Sequence, residues 1–413
     1  MKNMGKIREI IKALEVLKQN DTVKVLFITQ LLPVNLILYY LLVGYIYLSS
    51  KSLVDIGLIV VTSLSGIPSF LLPFSSAINN SVKNLKKYDL TVILLQIITL
   101  AFVVGLVMAN YIFAPIYAIL QGIFASLFIL REPVNLYLLK STNINFDKLR
   151  NLEGILSSLR QINQAIIVIT IILLENIYGL LIFSVGFALL LIFMIITLFF
   201  KLKLRYPTVE SSTIISSFIS QFKSLQKMNN TEKLFLVSDY IVYPVITSVS
   251  PIIFYLLGIT NMFNFSYSIY LIFLSISMIL ATYISNILNV KTFSEYILFY
   301  RISISILFIL LSLVISVFPI FMIGVFTILT LENSSFIYLN SFLITLIEKE
   351  KIRTIIPFME FIFSLVYSIA VITVSEIGSE IGILNILRYI GILGVIIYTM
   401  LFVKARNIKV ITK

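Results

Sequence analysis

Apolar residues run along this chain in stretches of twenty or more, each closed by a short polar segment that usually carries Lys. A helix needs about 20 apolar residues to cross the hydrocarbon core of a bilayer. Twelve stretches meet that requirement, at 24–48, 54–77, 90–109, 112–139, 152–174, 177–200, 234–258, 263–288, 296–317, 319–346, 355–375 and 381–403. They are too long for strands and none alternates with period two. The pattern therefore predicts an all-α integral membrane protein of twelve transmembrane helices. Pro33, Pro73, Pro244 and Pro251 fall in or at the ends of these spans. A helix bundle tolerates such kinks because neighbours and water satisfy the freed carbonyls.

The placement of Lys and Arg sets an orientation. With the N-terminus in the cytoplasm, 26 of the 31 basic residues fall on the inner side and one, Lys51, on the outer side. The other four, Arg131, Arg160, Arg301 and Arg388, lie within spans. This asymmetry predicts an even number of spans, both termini inside, and residence in the cytoplasmic membrane.

Composition agrees with the pattern. Of 413 residues 59% are hydrophobic and 12% charged, where a soluble chain carries about 25% charge. The net charge of +12 does not indicate nucleic-acid binding, because the basic residues are divided among short loops. Cys, His and Trp are absent, which excludes disulfides, thiol chemistry and metal sites built on imidazole or thiolate. No phosphate-cradling Gly-rich loop occurs, so ATP-driven work by this chain alone is not expected, and neither is a cofactor. The charged first 20 residues lack the short apolar core of a cleavable signal peptide.

The longest polar stretch, 201–233, divides the chain into an N-terminal six-helix bundle (1–200), a cytoplasmic linker and a C-terminal six-helix bundle (234–413). Within the linker Ile214, Phe218, Phe222 and Leu225 recur at helical spacing among polar residues, as do Ile7, Ile10, Ile11, Leu14 and Leu17 near the N-terminus. Both read as helices lying on the inner membrane surface. The halves echo one another. Asp147-Lys148-Leu149-Arg150 before span 5 matches Glu350-Lys351-Ile352-Arg353 before span 11, 203 residues later. Ile167–Thr170 matches Ala370–Thr373 at the same offset, and Gly122-Ile123-Phe124 matches Gly324-Val325-Phe326 at 202. Parallel six-span repeats are a transporter architecture.

In these features the chain resembles the major facilitator superfamily over nearly its whole length. That family's loop between spans 2 and 3 reads Gly-x-x-x-Asp-Arg-x-Gly-Arg-Arg. Here the loop is Asn79-Asn80-Ser81-Val82-Lys83-Asn84-Leu85-Lys86-Lys87, which keeps basic positions but lacks the Asp and both Gly. The family's span-4 Arg-x-x-Gln-Gly appears as Ala118-Ile119-Leu120-Gln121-Gly122, without the Arg. Pro133, then Phe146–Arg150, Gly154 and Ile155 are similar to the efflux-like branches. The resemblance implies a monomeric secondary transporter in which spans 1, 4, 7 and 10 line a central cavity. It also implies a gate where the inner ends of spans 4 and 5 close against spans 10 and 11, with Arg131 pairing Glu360.

Ionisable residues inside a bilayer cost about 2.5–3.5 kcal/mol each on insertion scales, so they single out candidate sites. The set is Arg131, Glu132, Glu153, Arg160, Asp239, Arg301, Glu332, Glu360 and Arg388. Glu332 stands near the middle of span 10 with Asn333 beside it. Burial penalises a charged carboxylate, so an acid there could load and release a proton near neutral pH. Arg131, Glu132 and Asp239 lie nearer the inner surface. Asn35, Tyr39, Tyr40, Tyr240 and Tyr243 would give spans 1 and 7 an aromatic, weakly polar wall. Each of these also has a plainer reading, as an ion pair or packing contact that holds helices in register. Gln161, Asn163 and Gln164 read as interhelical hydrogen bonders. The sequence thus points to a proton-coupled secondary transporter of a small solute, with export of an amphipathic compound favoured by the span 4–5 resemblance. An uncoupled facilitator or a lipid-linked flippase is the alternative. A non-transporting receptor or membrane enzyme is the reading of another class, and the chain offers no Asp-x-Asp or His for the latter.

Overall fold

A computed structural model describes residues 20–63, 65–75, 82, 84–140, 146–206, 228, 230–259, 263–288, 290, 292–346 and 349–406. The N-terminal amphipathic segment and the one expected at 214–225 lie outside these residues. Among the described residues there is no strand. Nine stretches of the described residues are helical, long and apolar enough to cross a membrane, judged by length and composition. One of them, Leu159–Leu202, is 44 residues long.

The helices form two compact units. The first comprises Met1–Tyr45 and Phe74–Ser217, the second Ile46–Pro73 and Phe218–Lys413.

In the first unit α1 (Asp21–Thr29) begins at Asn20, whose side chain accepts from the Val23 N–H at 3.2 Å. It stops before Pro33, and α2 (Val34–Ser50) continues beyond the break. Proline denies the helix a donor and crowds the preceding turn, which leaves carbonyls without partners. Side chains of α6 (Phe146–Tyr178) supply them. Asn163 Nδ2 donates to the Leu31 carbonyl at 3.1 Å, and Arg160 Nε donates to the Gln30 carbonyl at 2.9 Å and reaches its side-chain oxygen as well. The interhelical role expected of Asn163 is therefore observed.

Helix α4 (Leu85–Met108) starts at Asn84, which caps the Lys87 N–H at 3.0 Å. It packs on α5 (Ala114–Lys140) and α7 (Ile182–Leu202), and α7 packs on α6. The chain turns between α6 and α7 at Gly179, whose φ of 65° suits a residue without Cβ. Leu26, Leu85, Val134, Leu138 and Leu204 form a buried apolar cluster at one end of this unit.

The second unit opens with α3 (Leu53–Val61), capped by Ser52 at 3.3 Å and followed by a 3-10 turn at Ile67–Leu71. Next come α8 (Asn230–Leu236), α9 (Tyr243–Thr247), α10 (Ser250–Ile259) and α11 (Phe263–Leu288). They are followed by α12 (Phe293–Tyr296), α13 (Ser303–Val314), α14 (Phe318–Leu346), α15 (Lys349–Ile381) and α16 (Ile383–Ala405). A π turn, Val237–Val242, joins α8 to α9, and a second, Ile297–Ile302, joins α12 to α13. Helix α11 packs on α14, α13 on α16, and α3 on α15. The α13–α16 contact is close because Gly391 faces the Ser305 carbonyl, where a Cβ would stand 2.8 Å from that oxygen.

The sequence echo has a counterpart in the helices. Helices α6 and α15 are both 33 residues long, and their first and last residues are offset by 203.

Candidate functional site

Each unit buries a charged cluster. In the first, Asp89 of α4 is fully buried between two cations. Its Oδ1 accepts from Arg131 Nε of α5 at 3.0 Å, and its Oδ2 faces Lys201 Nζ of α7 at 3.2 Å. The Tyr206 hydroxyl donates to the same Oδ2 at 2.6 Å, and Lys201 Nζ donates to Asn135 Oδ1 at 2.6 Å. Burial, with the Asp89 carboxylate beside it, pushes the Tyr206 phenol above its ordinary range, so Tyr206 stays protonated and serves as a donor. Asp89 therefore ties three helices together through charge-assisted bonds, which are stronger than neutral ones.

Arg131, expected on the substrate pathway and in the gate, has its described ion pair inside the first unit, with Asp89. Glu132 follows it on α5, and its side chain lies outside the described residues. Asn35, near the start of α2, is buried with neither its amide nitrogen nor its oxygen hydrogen-bonded. Tyr39 and Tyr40 are half-buried, with ring centroids 4.9 Å apart.

In the second unit both π turns carry a charge. Asp239 sits in the first and Arg301 in the second. A π turn adds a residue to the helical turn and redirects the helix beyond it, and such turns are frequent at functional sites. Arg301 Nε meets Asp239 Oδ1 at 2.9 Å, and Nη2 meets it at 2.5 Å. Both residues are about 2% exposed or less. The Tyr296 hydroxyl donates to the same oxygen at 2.8 Å and also contacts Arg301. The guanidinium lies 3.5 Å from the Tyr243 ring centroid, a cation–π geometry, and Nη1 reaches Ser335 Oγ at 3.3 Å. Asp239 Oδ2 has no hydrogen-bond partner.

Glu332 of α14 is half-buried and within electrostatic reach of Arg301, Tyr243 and Tyr367. It borders a small cavity of about 30 Å³ whose lining also includes Thr247, Ser250 and Tyr270. That space admits one or two waters, since one needs at least about 10–15 Å³. Asn333 is engaged elsewhere, donating from Nδ2 to Ser277 Oγ of α11 at 2.8 Å. Glu360 of α15 is half-buried and near Tyr240. Tyr240 is itself buried, with its hydroxyl unbonded. Phe363 lies between Tyr240 and Tyr243, with centroids 6.4 and 6.5 Å away. The structure thus brings together Asp239, Tyr243 and Glu332 about Arg301, and places Glu360 with Tyr240.

Sequence reasoning missed Asp89, Lys201, Tyr206 and Tyr296 as site residues. Asp89 and Lys201 stand one residue outside the spans drawn at 90–109 and 177–200, so hydropathy assigns them to loops. The signal that could have found the cluster is that Asp89 is the lone acid in the basic stretch after span 2.

No protein-family model matches this chain, and no curated protein sequence matches it. Solved structures do. The nucleoside transporter NupG superposes with a TM-score of 0.67 at 13% identity, covering 94% of this chain and 100% of its own. A POT family transporter in complex with a thioalcohol-conjugated peptide gives 0.72 at 14%, covering 94% and 96%. The E. coli fucose:proton symporter FucP gives 0.57 at 12%, covering 93% and 97%. These proteins span nearly the whole of the chain, and with its apolar helices they identify a multi-pass membrane protein with the fold of the major-facilitator-type transporters.

Proposed function

We propose that this protein is a secondary active transporter that moves a small solute across the cytoplasmic membrane by alternating access, coupled to protons through Glu332. The observation that carries the reading is Glu332 itself. Among the described residues its carboxylate accepts no side-chain hydrogen bond, and it borders a cavity with room for water. An intramembrane acid without a hydrogen-bonded partner is costly to keep unless it does something. Water in that cavity would give the carboxylate a partner for proton exchange. The likeness to transporters over nearly the whole chain supports the class of function, and one of those neighbours is a fucose:proton symporter.

The proposal includes twelve spans with both termini inside, arranged as bundles 1–200 and 234–413 about the 201–233 linker. Three features support reading twelve spans where nine apolar stretches are found among the described residues. Leu159–Leu202 is long enough to cross twice, with its turn at Gly179. The 26-residue α11 is long enough to cross once. Residues 53–71, which contain α3 and its 3-10 turn, add a further apolar segment of 19 residues. Asn35, Tyr39, Tyr240 and Tyr243 are proposed as substrate-facing residues, and Asn35 has a free amide to offer. Export of an amphipathic compound is the favoured direction.

The test is flux in proteoliposomes with and without a pH gradient, screening nucleosides, short peptides, sugars and amphipathic cations. Glu332→Gln mimics the protonated acid at constant shape. It should abolish proton-driven accumulation and retain exchange of the same solute. Accumulation at the wild-type rate in Glu332→Gln removes Glu332 from the coupling role. Flux indifferent to pH in the wild type would instead favour an uncoupled facilitator.

A further inference from the structure

Helices α4 and α7 leave a groove of about 440 Å³ on the first unit, whereas the groups proposed for proton coupling lie in the second. Along α4 it runs from Asn84 to Leu94, about 15 Å at 1.5 Å per residue. The opposite wall is Leu198 and Leu202 of α7. Lys86 Nζ donates to the Leu202 carbonyl at 2.8 Å, which fixes Leu202 opposite the start of α4 and Leu198 further along. The two ends therefore differ in chemistry. Asn84, Lys86 and Lys87 make one end polar, while Leu90, Leu94 and Leu198 make the other apolar. Leu94 and Leu202 are exposed, at 49% and 44%, so the groove opens outward from the protein.

Charge at the polar end is one-sided. Residues 84–94 and 198–206 contain Lys86, Lys87, Lys201, Lys203 and Arg205 against a single acid, Asp89. Asp89 cannot neutralise the groove, because Arg131, Lys201 and Tyr206 already occupy both of its oxygens. Neither Lys86 nor Lys87 pairs with a carboxylate among the described residues. Lys86 spends one of its three N–H donors on Leu202 and has two left. The N-terminal end of the 24-residue α4 adds its partial positive charge at the same place.

We propose that this groove binds an anionic phospholipid. Its phosphate would sit between Lys86 and Lys87, and one acyl chain would run along Leu90, Leu94 and Leu198. A zwitterionic lipid fits the same apolar walls but gains less at the lysines. Basic pockets between transmembrane helices commonly hold anionic head groups, with each Lys contributing roughly fivefold in affinity.

The experiment uses the full chain in dodecyl maltoside, with lipid retention read by native mass spectrometry. The probes are dioleoyl-phosphatidylglycerol and dioleoyl-phosphatidylcholine, which share acyl chains. Phosphatidylglycerol should be retained roughly tenfold or more over phosphatidylcholine, and Lys86→Gln with Lys87→Gln should reduce it to the phosphatidylcholine level. Thr91→Trp fills the groove without touching a charge and should lower retention of both lipids. It carries the test if the lysine variant fails to fold. Equal retention of the two lipids overturns the proposal, as does a preference that survives the lysine variant or a retention of phosphatidylglycerol that Thr91→Trp leaves undiminished. So does displacement of phosphatidylglycerol by equimolar inorganic phosphate, which would show that the apolar walls contribute nothing.

Discussion

Removing one member of the Asp239–Arg301 pair should cost far more than removing both. In Arg301→Met the Asp239 carboxylate stays buried and keeps only the Tyr296 hydroxyl, at 2.8 Å. Its Oδ2 already lacks a partner. Breaking a buried pair in this way costs about 3–5 kcal/mol. In Asp239→Asn the guanidinium is the group left behind. It retains the Tyr243 face at 3.5 Å and Ser335 Oγ at 3.3 Å, and a desolvated cation–π contact is worth about 2 kcal/mol. The expected cost is therefore lower, about 2–3 kcal/mol. The double variant Asp239→Asn with Arg301→Met leaves neither charge of the pair, and the new thioether packs on the Tyr243 ring in place of the guanidinium, so the loss is chiefly hydrogen bonds, about 1–2 kcal/mol. The singles together come to about 5–8 kcal/mol, so the coupling should be at least about 3 kcal/mol, or roughly a hundredfold in the unfolding equilibrium. Unfolding in mixed micelles by titration with sodium dodecyl sulfate, followed by circular dichroism, reads all four corners of the cycle. A double variant that loses the sum of the singles to within about 0.5 kcal/mol refutes the pair as drawn.

Asp89→Asn should destabilise the first unit by about 3 kcal/mol or more, since it strands Arg131 and Lys201. Arg131→Glu should likewise impair folding, and Asp89→Arg should rescue it better than Glu360→Arg, because that exchange restores the net charge of the cluster; rescue by Glu360→Arg alone would favour the gate expected from the sequence. Gly391→Ala should destabilise by about 1–3 kcal/mol, because its Cβ would stand 2.8 Å from a backbone oxygen that cannot yield. Gly105→Ala, with nothing within 4 Å of the new Cβ, should stabilise by about 0.5–1 kcal/mol, and equal signs in the two melting curves would contradict this account of the α13–α16 contact. Reporters in the 201–233 linker and after Lys413 should report cytoplasm, and one at Glu376–Glu380 the outside; any other pattern breaks the twelve-span reading.

Hydropathy makes the helices legible because each apolar run is long enough to satisfy its own backbone within the bilayer. The register between halves is legible too. The charged tetrads before spans 5 and 11 lie at the same offset as the equal-length α6 and α15. Pairing is not carried by the pattern. Asp89 meets Arg131 across 42 residues and Tyr206 across 117, and no local period encodes such distances. The boundary between loop and span also conceals residues. A Lys at the end of a run, such as Lys201, normally belongs to the interface, yet here its side chain is fully buried. The π turns leave no trace either, because inserting one residue into a helical turn hardly alters an apolar run.

The two buried clusters differ in a way that bears on their roles. Both oxygens of Asp89 are occupied, Arg131 and Lys201 share that one carboxylate, and Lys201 has Asn135 besides. A buried polar network satisfied in this way rigidifies the helices it joins and offers nothing to a ligand. About Arg301 the accounting is incomplete. Asp239 Oδ2 is unbonded, the Tyr240 hydroxyl is unbonded, and Glu332 has no side-chain hydrogen bond among the described residues. Each unbonded buried group costs about 1–3 kcal/mol. Stability alone would have selected against such an arrangement. A cluster that must exchange protons or partners cannot be saturated in any one state. Under the proposed function the exchange chemistry therefore falls to the second unit, at Arg301 and Glu332, and Asp89 braces the first.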